Sequence, residues 1–136
     1  MTVILSIKPE YATKIFAGEK QVEYRRPIKN VNKVVVYVTK PVGKVLGEFE
    51  VDDILCAAPE DLWEKTSHIG GISKKAYFEY FKDTHQAFAL EIKNVKRYEQ
   101  ERELKDYGLK MASQLFVIYK KTSAMGGKIL FIVASL

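Results

Sequence analysis

One cysteine, Cys56, cannot close an internal disulfide, so the chain reads as a protein of a reducing, cytoplasmic compartment that folds on its core alone. Two histidines, His68 and His85, lie 17 residues apart with no Cys or Asp cluster at ligand spacing. That excludes the usual tetrahedral metal patterns, and no metal or other cofactor is expected. No apolar run reaches the roughly 18–20 residues that a membrane-spanning helix needs. The opening Met-Thr-Val-Ile-Leu-Ser-Ile-Lys meets a charge too early for a signal peptide. A Gly-rich phosphate loop, a Gly-x-Ser-x-Gly elbow and a helix-turn-helix pattern are all missing. So are repeats and linker-like stretches.

What remains is ordinary globular material. The 136 residues are 47% hydrophobic and 29% charged, enough for one buried core and one domain spanning 1–136. Lys and Arg number 22 against 17 acids, a net charge of +5, which permits a polyanionic partner without demanding one.

Val3 to Ile7 is a short apolar strand. Pro9 suits the first turn of a helix, in which Tyr11 and Ile15, then Ala12 and Phe16, recur four apart. Gly18 fits the left-handed residue that ends it. Lys33 to Thr39 is β-branched and aromatic, and its unbroken apolar character predicts burial on both faces. After a turn at Pro41-Val42-Gly43, Val45 to Asp52 alternates with period two, so the two segments form a hairpin. Pro59 opens a short helix through Trp63, and Gly70-Gly71 breaks the chain. Ser73 is a candidate N-cap for a helix carrying Tyr77, Tyr80 and Phe81 on one face. Phe88 to Ile92 alternates as another strand, extended to Tyr98. One helical turn is expected at Leu104–Gly108, and late strands at Phe116–Tyr119 and Ile129–Val133 around a loop at Gly126-Gly127. The whole predicts an α+β domain with a mixed, mostly antiparallel sheet that curls toward a barrel, with flanking helices. Cys56, after Ile54-Leu55, reads as a small buried hydrophobe. Trp63, Tyr77, Phe78, Tyr80 and Phe81 read as core, with an exposed protein-docking surface near Phe78 as the alternative.

The stretch Gly18-Glu19-Lys20-Gln21-Val22-Glu23-Tyr24-Arg25 holds the chemistry. In an extended segment, residues two apart share a face, so Glu23 and Arg25 point together while Val22 and Tyr24 point away. Lys20, at the turn before them, can reach over the same face. From spacing alone the pair is a surface salt bridge worth about 0.5–1 kcal/mol.

The segment resembles the Gly-x-Lys-x-x-Glu-x-Arg signature of ASCH domains, in the PUA-like superfamily, with Gly18, Lys20, Glu23 and Arg25 all in place. The Ile4-Leu5-Ser6-Ile7-Lys8-Pro9 opening and the hairpin from Val34 to Phe49 are similar to the family's as well. The resemblance implies a small β-barrel with helices at its side and a basic cleft beside the first helix. It also implies RNA-related roles, which include coactivation, RNA binding and hydrolysis. In such a cleft Lys8, Lys20 and Arg25 are the cations, and the helix N-terminus after Pro9 offers free N–H groups to phosphate. Glu23 can orient Arg25 or accept from a base amino group. Tyr24 and Tyr37 are stacking platforms if their rings are exposed and core residues if not.

Three roles follow. One is a module binding RNA or a nucleotide through Lys8, Lys20, Glu23 and Arg25. Another is a hydrolase in the same cleft, with Lys20 and Glu23 as its catalytic pair, acting on a modified nucleoside or an RNA phosphodiester. Acetylcytidine amidohydrolases, which the resemblance brings in, pair the lysine with a threonine and a downstream glutamate. Here Glu23 stands in the threonine's place, and Glu48, Glu50, Glu79 and Glu91 are all open as the acid. The third role is a protein-interaction or transcriptional coregulator module that uses the helix near Phe78.

Overall fold

A computed structural model describes residues 1–108, 117–122 and 127–132. Strand β1 (Thr2–Ile7) leads into helix α1 (Pro9–Phe16), and β2 (Val22–Arg25) and β3 (Lys33–Val38) follow. Strand β4 (Lys44–Ala57) precedes α2 (Pro59–Thr66) and α3 (Lys74–Tyr80). Strand β5 (Ala87–Arg102), β6 (Val117–Thr122) and β7 (Gly127–Ile132) complete the order. Single 3-10 turns stand at Ser67–Ile69 and Leu104–Tyr107.

The strands form one sheet in the order β2-β5-β4-β3-β1-β7-β6. β1 lies between two parallel partners, β3 and β7, and the remaining neighbours pair antiparallel. This is the expected mixed, mostly antiparallel α+β architecture. The predicted hairpin is β3–β4.

The apolar run of β3 is explained by two cores. Val34, Val36 and Val38 join a large cluster with Leu5, Ile15, Phe49, Leu62, Tyr77 and Leu90. Val35, between them, joins a second cluster with Ile4, Val45, Tyr98, Leu104 and Tyr107. Successive side chains leave opposite faces of a strand, so a strand covered on both faces needs no polar alternation.

Several expectations need correction. β4 and β5 run 14 and 16 residues, longer than their alternating segments. Register shifts in their pairing at Val45/Gly47, Glu48/Glu50 and Val51/Ile54 bend the ladder and let it continue, since a bulge inserts an unpaired residue. Cys56 is exposed although its predecessors are apolar. It pairs with Phe88 near the end of β4, and its neighbours Leu55 and Ala57 pack on the core instead. Of the late strands, β6 and β7 cover 117–119 and 129–132; Phe116, Gly126 and Val133 lie outside the described residues.

Local signals held at the helix ends. Pro9 opens α1, and Tyr11, Ala12 and Ile15 are its buried face. Gly18 follows with φ +79°, a conformation that costs glycine little. The Ser73 side chain accepts from the Ala76 N–H at 3.1 Å and caps α3.

Candidate functional site

The turn after α1 places Lys20. The backbone N–H groups of Glu19 and Lys20 both donate to the Lys14 carbonyl, at 2.9 and 3.1 Å. The chain is thereby folded back, and the lysine side chain enters the protein. β2 then supplies Glu23 and Arg25 from alternate positions. Lys20, Glu23 and Arg25 are 1%, 1% and 2% exposed. The surface salt bridge expected from spacing is therefore an interior ion-pair cluster.

Arg25 binds one carboxylate oxygen twice, with Nη2 at 2.6 Å and Nε at 3.2 Å from Glu23 Oε2. The same Nη2 donates to the Ser6 carbonyl of β1 at 2.9 Å. The other oxygen, Glu23 Oε1, faces Lys20 Nζ at 3.6 Å and has no hydrogen-bond partner among the described residues. Lys20 Nζ donates instead to the Gly70 carbonyl at 2.5 Å. It lies 5.0 Å from the centre of the Tyr24 ring and 5.4 Å from that of Tyr11, within range of a cation–π attraction.

Burial pushes the Lys20 ammonium below its usual pKa. The Glu23 charge opposes that shift, while Arg25 and Lys14 add to it. Desolvation disfavours the charged form of any buried lysine. The result is a lysine nearer to proton exchange than a surface lysine, beside a carboxylate oxygen 3.6 Å away. Such a pair can act as a proton donor and acceptor.

Of the two places open to Tyr24, stacking platform or core, the structure shows it in the core. It is fully buried, edge-on to Tyr77 at 4.8 Å, and no ring face is open to a base. Thr66 Oγ1 donates to the Leu62 carbonyl at 2.7 Å, so the Tyr24 hydroxyl is the donor in its 2.6 Å contact with Thr66. Lys8 and Tyr37 are half-buried. Lys8 flanks the start of α1 without a side-chain cap, and Tyr37 packs against the second core. No hydrogen bond or ion pair among the described residues joins either to the trio. Trp63 and Phe78 are half-buried, their rings 6.0 Å apart over Tyr77.

Sequence reasoning missed the residues that cover Lys20. Gly70 and Gly71 read only as a break. A Cβ on Gly70 would lie 2.4 Å from the Tyr24 hydroxyl, and one on Gly71 would lie 2.8 Å from Lys20 Cβ. Gly71 also has φ +61°. The Gln21 N–H donates to the Ile69 carbonyl at 2.8 Å and Lys14 Nζ to the Gly71 carbonyl at 3.1 Å. The paired glycines were the available signal, since close backbone approach requires them. Among the described residues no three His, Cys, Asp or Glu side chains gather as metal ligands, and no helix is long and apolar enough to cross a membrane.

Sheet order and buried trio together define a small α+β domain organised around an internal lysine–glutamate–arginine cluster. The ASCH domain profile matches residues 5–125, and the chain belongs to the ASCH domain family. The chain is 35% identical over 111 residues to large ribosomal subunit protein uL22 of Ureaplasma parvum, a match covering 79% of this chain and 36% of that protein. The chain thus spans little more than a third of that relative's length. It is 30% identical over 94 residues to an ASCH domain-containing ribonuclease of Zymomonas mobilis, covering 67% of this chain and 64% of that protein. The crystal structure of ASCH from Zymomonas mobilis superposes with a TM-score of 0.70 at 28% identity, covering 75% of this chain and 73% of that one.

Proposed function

We propose that this chain acts as a single ASCH domain that binds RNA, with Lys20, Glu23 and Arg25 as the groups that meet the ligand. The observation that carries the reading is the buried lysine ion-paired at 3.6 Å with a carboxylate oxygen that has no hydrogen bond among the described residues. Interior charges are costly unless fully paired, and buried polar groups normally find partners. A fold that keeps this arrangement has a use for it. Lys8, half-buried at the start of α1, is the candidate outer phosphate contact, whereas Tyr37 packs on the second core. The Arg25 bridge from β2 to Ser6 on β1 supports curling of the sheet into a barrel around the site. An exposed, unpaired cysteine suits a reducing, cytoplasmic setting. Phe78 packs its ring on Trp63 and Tyr77, which argues against α3 as the main docking surface.

The test is titration of a fluorescent single-stranded RNA at several salt concentrations. Affinity should fall along a straight line in log salt, as counterions are released, and Lys20→Met should weaken it at every salt. An affinity indifferent to salt, or unchanged in the variant, would remove this function.

One observation favours cleavage as a second reading. Lys20 combines a lowered pKa with a neighbouring carboxylate, and a relative named as a ribonuclease is 30% identical. In phosphodiester cleavage Lys20 would pass a proton to or from a ribose or leaving oxygen, and Arg25 would help to hold Glu23. Such proton transfer is worth about 10²–10⁴-fold in rate. Lys20→Met should lose that factor on an oligoribonucleotide, and an all-deoxy strand should resist cleavage. Equal cleavage by the variant would exclude it.

A further inference from the structure

The trio is placed for a ligand yet closed to one. The segment from Ile69 to Ile72 closes over Lys20, held by three hydrogen bonds to α1 and the turn after it: Gln21 N–H to Ile69, Lys20 Nζ to Gly70 and Lys14 Nζ to Gly71. Two of these three are made by lysine ammonium groups to neutral carbonyls. A carbonyl oxygen on an ammonium is an exchangeable partner: a more negative oxygen binds the same donor more strongly. Glu23 Oε1 faces the same Lys20 Nζ at 3.6 Å, in a residue 1% exposed, and has no hydrogen bond among the described residues. Tight packing would normally leave no such atom.

We propose that residues 69–72 form a displaceable cover, and that the Gly70 carbonyl holds the position on Lys20 Nζ that a ligand oxygen takes. This rests on the trio being the ligand site and names what enters it. The entering group carries an oxygen acceptor for Lys20, from a phosphodiester or a base carbonyl, and a polar hydrogen beside it for Glu23 Oε1. The glycines are required because any side chain on Gly70 strikes the Tyr24 hydroxyl and any on Gly71 strikes the Lys20 stem. They let the cover lie flat over Lys20 and Tyr24.

Two measurements on the whole chain test this. In the unmodified protein, amide hydrogen exchange is followed at Gln21, whose N–H is bonded to the cover, and at Val35 in β3. Gln21 should exchange at least about tenfold faster than Val35, through an opening smaller than global unfolding. Reductive methylation of Lys20 should report the same opening, and a 12-nucleotide single-stranded RNA should slow it. Gly70→Ala strains only the closed form, so Lys20 should be methylated roughly tenfold faster in the folded variant. Exchange of Gln21 at the rate of Val35 would overturn the cover, as would unchanged methylation in folded Gly70→Ala. Opening without any protection by RNA would leave the cover standing and remove the RNA reading.

Discussion

Among the described residues, two clusters each set a glutamate between two cations, and they behave in opposite ways. On the surface, Glu103 accepts from Lys44 at 2.8 Å and pairs with Lys105 at 3.0 Å. Those contacts hold the Glu103 carboxyl down to about 2 and raise both lysines above their usual pKa. Each charge strengthens the next, and water bears the cost of all three. Inside, Glu23 stands between Arg25 and Lys20 at 2.6 and 3.6 Å, yet burial depresses Lys20 despite its acidic neighbour. The exposed trio is an ordinary surface tie, screened and worth little. The buried trio keeps its charges where solvation is lost, which disfavours the charged lysine.

That contrast can be broken most forcefully at Glu23. Glu23→Ala strands two cations in the interior and should cost about 3–5 kcal/mol in denaturant unfolding. A loss as small as that of a surface pair would show that water reaches the trio. Gly71→Ala should follow, at about 1–3 kcal/mol, because it combines a positive φ with overlap on Lys20. A neutral result would mean that the segment is not seated on the lysine. Tyr24→Phe removes a buried hydrogen bond to Thr66 and should cost about 1 kcal/mol, read from the thermal midpoint. The smallest effect is expected for Glu103→Gln, whose midpoint at neutral pH and physiological salt should match the parent.

The pH dependence of stability sharpens the same comparison. Lys20 has a folded pKa below its usual 10.5. Between those two values the unfolded chain binds more protons, so stability rises with pH there and is flat with respect to Lys20 below the folded value. Buried Tyr24 and Tyr80 have raised pKa values, chiefly through burial. Above their usual 10.0 the unfolded chain loses phenolic protons that the folded chain keeps, and stability falls. Lys20→Met should abolish the rising arm and leave the falling one, in urea titrations across alkaline pH.

The sequence made part of this visible. Period two placed Glu23 and Arg25 on one face, and the turn after Gly18 brought Lys20 toward them. Pro9, Gly18 and Ser73 marked helix ends because caps are local chemistry. Burial was hidden, since the Lys20 acceptor, Gly70, lies 50 residues away. The partners that bury Tyr24, Thr66 and Tyr77, are as remote along the chain. The lengths of β4 and β5 were illegible for another reason: bulges break the alternation that signals a strand. The parallel pairing of β1 with β3 had no local signature either, because it depends on how the whole sheet is ordered.

Desolvation of Lys20 is the property on which the site depends, and NMR titration of the lysine side-chain carbons reads it directly. Lys20 should titrate below 10.5 while Lys44 and Lys105 titrate above it. Titration of Lys20 together with those surface lysines, at or above 10.5, would contradict a buried site.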